Sequence, residues 1–203
     1  MIIHNGTLHQ GDIPLNRSFR YGDGLFETIR VYEGHLLFWK DHMERLEKGM
    51  KQLKFEFRPQ LFQLLLQENA RLLLKELAIN KHGRLRIHVY RSGRGAYSPI
   101  NRDPSFVIEA YSFDADTYES LHPVSMVSFK DYPLTIGPAT GIKSANSLPL
   151  SCACIAAMIK AWMNHSCLTK KELSVKPVLQ ISFTSRRKSY SRQIYLVCVC
   201  QES

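Results

Sequence analysis

The side chains of this 203-residue chain that could do chemistry lie in a few short stretches. His42 and Arg45 stand three residues apart on one face of a predicted helix. An arginine so placed can grip a phosphate through two parallel hydrogen bonds, although the pair alone reads more plainly as a solvated basic face. Lys143 brings a primary amine into the polar run Gly141-Ile142-Lys143-Ser144-Ala145-Asn146, where residue type alone suggests a solvated surface lysine. Phe26, Glu27, Thr28 and Arg30 share a stretch of strand character, so alternate members face one side and Arg30 could meet a carboxylate. Arg94 and Tyr97 belong to the polar loop SGRGAYSPINRDP, which reads equally as a surface loop. Cys152 with Cys154 and Cys198 with Cys200 are C-x-C pairs, too close for the two to four intervening residues of structural zinc, so no metal is expected. The run SRRKSYSR at 185–192 could follow a phosphate backbone, but it reads better as a solvated basic segment, and no nucleic-acid partner is expected.

The elements that must position these groups follow from hydrophobic periodicity. With 44% hydrophobic and 22% charged residues, the composition is that of a globular chain and excludes collagen, coiled coil and general disorder. No apolar run approaches the roughly eighteen residues of a membrane span, and the N-terminus lacks a signal-peptide layout, so a cytoplasmic protein off the membrane is expected. Asn5-Gly6 and Glu33-Gly34 mark two hairpins. Asp41 is placed to cap a helix with Met43, Leu46, Met50 and Leu53 on its apolar face, and Pro59 suits the first turn of a leucine-rich helix reaching Leu77. Alternation predicts strands at 84–90, 106–111 and 124–129. Strands and helices in runs, without βαβα alternation, predict an α+β fold with antiparallel sheet and a domain boundary near 113–118.

The stretch RYGDGLFETIRVYEGHLLFWKDHMERL at 20–46 resembles the opening signature of the class IV aminotransferases, the fold-type-IV pyridoxal phosphate enzymes. That family includes branched-chain aminotransferases, D-amino-acid aminotransferases and aminodeoxychorismate lyases. The likeness continues through VYRSGRGAYSP at 89–99 and GIKSANSLP at 141–149, in family order and at roughly family spacing. The resemblance implies pyridoxal 5′-phosphate as cofactor, with Lys143 forming the Schiff base and shuttling the substrate α-proton, and Arg45 binding the cofactor phosphate. It implies substrate contacts from Phe26, Arg30, Arg94 and Tyr97, the last two in a loop that commonly reaches the neighbouring subunit of a homodimer. The expected domains are 1–115, an N-terminal α+β domain; 116–150, the start of the cofactor-binding C-terminal domain; and 151–203, an atypical tail.

That tail reads like a different text. Residues 1–150 hold 19 Lys and Arg against 16 Asp and Glu, while residues 151–203 hold 8 against 2, Glu172 and Glu202, together with all five cysteines. No glycine follows Gly141, where roughly four would be usual over such a length. The family's glycine, Asp-Glu pair, S-S-N strand and P-G turn are missing. Read one base earlier, the codons of Trp162-Met163-Asn164 compel Asp-Glu, and those of later residues permit the other motifs in order. We therefore expect a frameshift between Leu148 and about Ala161, and a second domain truncated or scrambled after about residue 150.

The leading expectation is transamination of a branched-chain or similar amino acid with 2-oxoglutarate. The alternative is elimination from aminodeoxychorismate, giving 4-aminobenzoate and pyruvate; Ala96 departs from the G-R-G-Y-S of that branch. A further alternative is an inactive relic whose N-terminal domain still folds.

Overall fold

Asn5 and Gly6, at φ 47° and 84°, turn the chain between β1 (Ile2–His4) and β2 (Thr7–His9), the conformation an Asn-Gly hairpin requires. A short helix that periodicity had not indicated, α1 (Arg17–Tyr21), follows; the Asn16 side chain accepts the Phe19 N–H at its start, and Gly22 at φ 66° ends it. Then come β3 (Gly24–Tyr32), a turn at Glu33-Gly34, β4 (His35–Leu36), α2 (Trp39–Gln52), α3 (Pro59–Glu76, with proline in its first turn), β5 (His82–Arg91) and β6 (Pro104–Ser112). Asp41 is not the cap of α2. Phe38, at φ 53°, holds that position without a side-chain bond, and Asp41 stands in the first turn, where its charge complements the helix dipole.

This computed structural model describes residues 1–10, 16–113, 125–134, 141–165, 176–179 and 194–201. The chain divides into two units, Met1–Thr117 with Gly141–Asn146, and Tyr118–Thr140 with Ser147–Ser203. In the first unit, six antiparallel strands take the order β2-β1-β6-β5-β3-β4. One face of this sheet supplies Ile3, Leu25, Ile29, Val31, Leu85, Ile87, Val89 and Ile108 to a core completed by Met43, Leu46 and Met50 of α2 and Leu66, Ala70 and Leu73 of α3. Burying each large side chain contributes about 1.5–3 kcal/mol, which is why the period-2 pattern of the strands decides the register. The opposite face sets Phe26, Thr28 and Arg30 directly across from His88, Arg86 and Arg84.

In the second unit, β7 (Ser125–Leu134), β9 (Ile194–Gln201) and β8 (Lys176–Leu179) form an antiparallel sheet in the order β7-β9-β8, and α4 (Leu148–His165) lies against β7 and β9. Of these elements, β7 answers the strand expected at 124–129, while β8, β9 and most of α4 fall in the tail expected to be atypical. Within α4, LPLSCACIAAMI offers small and apolar residues without an internal glycine, and its proline falls in the first turn, where proline is tolerated. The basic run at 185–192 lies outside the described residues, as do Glu172 and Glu202. No helix of the described residues is long and apolar enough to cross a membrane.

Candidate active site

Because β4 pairs only with Val31 and Tyr32, the same edge of β3 is open near Gly24, and the segment Gly141–Asn146 takes it. Ser144 bridges Leu25 in antiparallel sense, the Phe26 N–H donates to the Lys143 carbonyl at 2.9 Å, and the Ala145 N–H donates to the Gly24 carbonyl at 2.8 Å. This pair of backbone hydrogen bonds fixes where the Lys143 side chain starts. Its Nζ lies 4.8 Å from the centroid of the Phe26 ring, and the Arg86 guanidinium carbon lies 4.2 Å from the same centroid. Burial pushes the Lys143 ammonium below the ordinary lysine range; Arg45 and Arg86 push the same way, and Glu27 opposes them.

Glu27 joins these groups. Its side chain is 1% exposed, in the row of Leu25, Ile29 and Val31 that faces the helices. A carboxylate so buried needs charge and hydrogen-bond partners, and α2 supplies Arg45 and His42 one turn apart. Arg45 donates from Nε to Oε1 at 2.6 Å and from Nη2 to Oε2 at 2.5 Å, and His42 Nδ1 lies 2.8 Å from Oε2. Burial alone would raise the Glu27 carboxyl, but the hydrogen bonds from Arg45 and His42, with the charges of Arg45 and Lys143, hold it below the usual range. With Nε and Nη2 turned to Glu27, the partly exposed Arg45 keeps its Nη1 amino group for a second acceptor.

Of the residues singled out in the sequence, Arg45 holds Glu27, Lys143 lies against the Phe26 ring, and Lys143 is an electrostatic neighbour of Glu27. Arg30 lies on the Phe26 face of β3, its guanidinium 4.3 Å from the Phe113 ring centroid. Arg94 and Tyr97 stand in the loop after β5; Tyr97 is 90% exposed, with its ring 5.6 Å from that of Tyr21. Arg86 was not among the candidate site residues, and Glu27 was named only as a member of the strand stretch, without its partners. The signal for Glu27 was present, since it is the one acid in a row of alternating apolar residues and so a buried charge in need of a partner.

The donor set fits two ends of a pyridoxal phosphate, a guanidinium for its phosphate and an amine of lowered proton affinity for its aldehyde, both electrostatic neighbours of Glu27. Among the described residues, no group of three His, Cys, Asp or Glu side chains is arranged to hold a metal ion.

A family model described as Amino-transferase class IV matches residues 24–159. The aminodeoxychorismate lyase of Vibrio harveyi is 36% identical over 112 residues, 53% of this chain and 39% of that protein, so the chain spans well under half of that relative. A candidate 4-amino-4-deoxychorismate lyase from Legionella pneumophila has a similar structure, with a TM-score of 0.59 at 23% identity over 77% of this chain and 56% of that one. The 4-amino-4-deoxychorismate lyase of Pseudomonas aeruginosa gives 0.55 at 18% identity over 89% and 62%. These structural likenesses show the mixed helix-and-strand architecture of the fold-type-IV enzymes.

Proposed function

This chain belongs to the amino-transferase class IV family, and we propose that it is a pyridoxal 5′-phosphate enzyme in which Lys143 holds the cofactor and moves the substrate α-proton while Arg45 anchors the phosphate. The observation that carries this reading is the backbone pairing of Lys143 with Phe26, which sets it beside the residue next to Glu27, the buried carboxylate that Arg45 holds. When bound, the cofactor withdraws electrons from the substrate α-carbon and makes its C–H bond acidic. Arg45 binds phosphate through Nη1 while Glu27 keeps the other edge of the guanidinium oriented. Lys143, its ammonium form disfavoured by burial, keeps a larger neutral fraction than a solvated lysine, which is the form that attacks an aldehyde and then serves as a base. Phe26 packs beside Nζ and limits its excursions. Arg30, Arg94 and Tyr97 contact the substrate, the last two from a loop offered to the second subunit of a homodimer.

For the substrate we take aminodeoxychorismate first, eliminated to 4-aminobenzoate and pyruvate; the name of the Vibrio harveyi relative supports it. Transamination of a branched-chain or similar amino acid with 2-oxoglutarate is the second reading, favoured by Ala96 in place of the tyrosine of the lyase branch. The test is spectral titration of the full chain with pyridoxal phosphate, expected to give a visible band that Lys143→Ala abolishes, followed by assays for pyruvate from aminodeoxychorismate and for glutamate from amino acid and 2-oxoglutarate. Pyruvate release supports the first reading and glutamate the second; a chain that stays colourless and turns over neither is the relic.

A further inference from the structure

Arg17 is 4% exposed, yet it lies on the five-residue α1, away from the cluster around Glu27. Its Nε donates to Asp23 Oδ2 at 2.9 Å, and its Nη1 donates to the carbonyls of both Gly95 and Ala96 at 2.8 Å each. Those are the two residues between Arg94 and Tyr97. Asp23 is held in turn from the other side, where Arg91 Nη1 donates to Oδ1 at 2.6 Å and Arg91 Nη2 donates to the Leu53 carbonyl at the end of α2. Two buried cations thus share one carboxylate, and the loop carbonyls supply part of the compensation that Asp23 cannot. Turning consecutive carbonyls toward one nitrogen demands unusual backbone, and Gly95 provides it: at φ 112°, a Cβ there would fall 2.4 Å from the Ser98 carbonyl oxygen. The loop is tied further by Ile100 N–H to the Arg94 carbonyl and Ser92 N–H to the Asp103 carbonyl. Tyr21, against which Tyr97 leans, also receives the Arg17 guanidinium 5.0 Å from its ring centroid.

We infer that Arg17, locked by Asp23, is the positioning residue of the 92–103 loop: it fixes the peptide between Arg94 and Tyr97 and so presents both side chains to substrate already ordered. This rests on the proposed substrate role of Arg94 and Tyr97. A lysine at position 17 keeps the charge but not the fork that serves Asp23 and two carbonyls at once. Hydrogen exchange on the full chain tests the clamp. In Arg17→Lys and, independently, Asp23→Asn, the Ile100 and neighbouring loop amides are expected to exchange about tenfold faster, while β3 and β5 amides keep their rates. With pyridoxal phosphate loaded, the KM of the carboxylate substrate rises about tenfold while kcat and cofactor absorbance hold. Unchanged loop exchange, exchange accelerated throughout the sheet, or an unmoved KM overturns the inference. A wild-type chain without cofactor absorbance refutes the proposed function, and with it delivery to substrate, while the exchange result separately decides whether the clamp exists.

Discussion

Glu27 and Lys143 are both charged groups in partly dry surroundings, and their proton affinities move in ways that can be measured. Arg45 and His42 hold the Glu27 carboxyl below its ordinary range, so its contribution to stability is present above the unfolded value of 4.5 and is lost as pH falls through the folded value. Glu27→Gln should therefore flatten the acid limb of a stability–pH profile. Because Arg45 stays 46% exposed, solvent screening keeps the neutral-pH loss to about 1–3 kcal/mol by denaturant titration. A buried ion pair without such screening would cost more. For Lys143 the sign is reversed: burial disfavours the ammonium, the resulting cost to stability is full below the folded value, and it is relieved as pH rises toward the unfolded one. Reductive methylation followed residue by residue should show Lys143 reacting at lower pH than a lysine in an unfolded peptide. Arg86→Ala should move that profile upward and Glu27→Gln should move it downward, since these remove a repelling and an attracting charge. A Lys143 profile equal to that of the unfolded peptide would remove the electrostatic part of the site.

At the scale of elements, the site exists because α2, β3 and the Gly141–Asn146 segment meet without intervening bulk. Gly49 of α2 permits that approach: a Cβ there would lie 3.0 and 3.2 Å from the two methyl carbons of Leu25 and 3.5 Å from Ile142. Leu25 bridges Ser144, so pressure on it passes to the strand that carries Lys143. Gly49→Val, although it places a bulkier residue in a helix interior where glycine is poor, should lower stability by about 1–3 kcal/mol and weaken the cofactor band. Unchanged denaturation midpoint and absorbance would show that the helix shifts freely. Most of these elements were legible in advance, since the alternation in 84–90 and the leucine spacing after Pro59 are strong periodic signals. Helix α1 was not, because five residues are too few for periodicity and its signals are only the Asn16 cap and Gly22. Arg45 and Lys143 were legible as family motifs, whereas the partnerships of Glu27 with α2 and of Arg17 with the 92–103 loop join residues far apart in the chain, which spacing alone does not report.

For the molecule as a whole, the boundary that matters is the expected one between Leu148 and about Ala161. The family match stops at residue 159, three residues before the Trp162-Met163-Asn164 codons that compel Asp-Glu when read one base earlier. The charge balance changes over the same stretch, with 8 basic residues against 2 acidic ones after residue 150 and no glycine after Gly141. Out-of-frame translation accounts for both changes at once, because codons read in the wrong phase lose the composition selected in the right one. Arg45 and Lys143, the proposed phosphate and amine ends of the site, precede that boundary. The Asp-Glu pair, S-S-N strand and P-G turn that the resemblance leads one to expect would lie beyond it. The chain is therefore expected to bind pyridoxal phosphate and redden its absorbance, yet to turn over substrate of order a hundredfold more slowly than the same chain with the frame restored. Sequencing the gene decides the premise: the earlier phase must run open through codons 162–203, and a stop codon there removes it. Kinetics on the restored chain decide the consequence, for equal turnover by the two proteins would mean that the tail as it stands already completes the site.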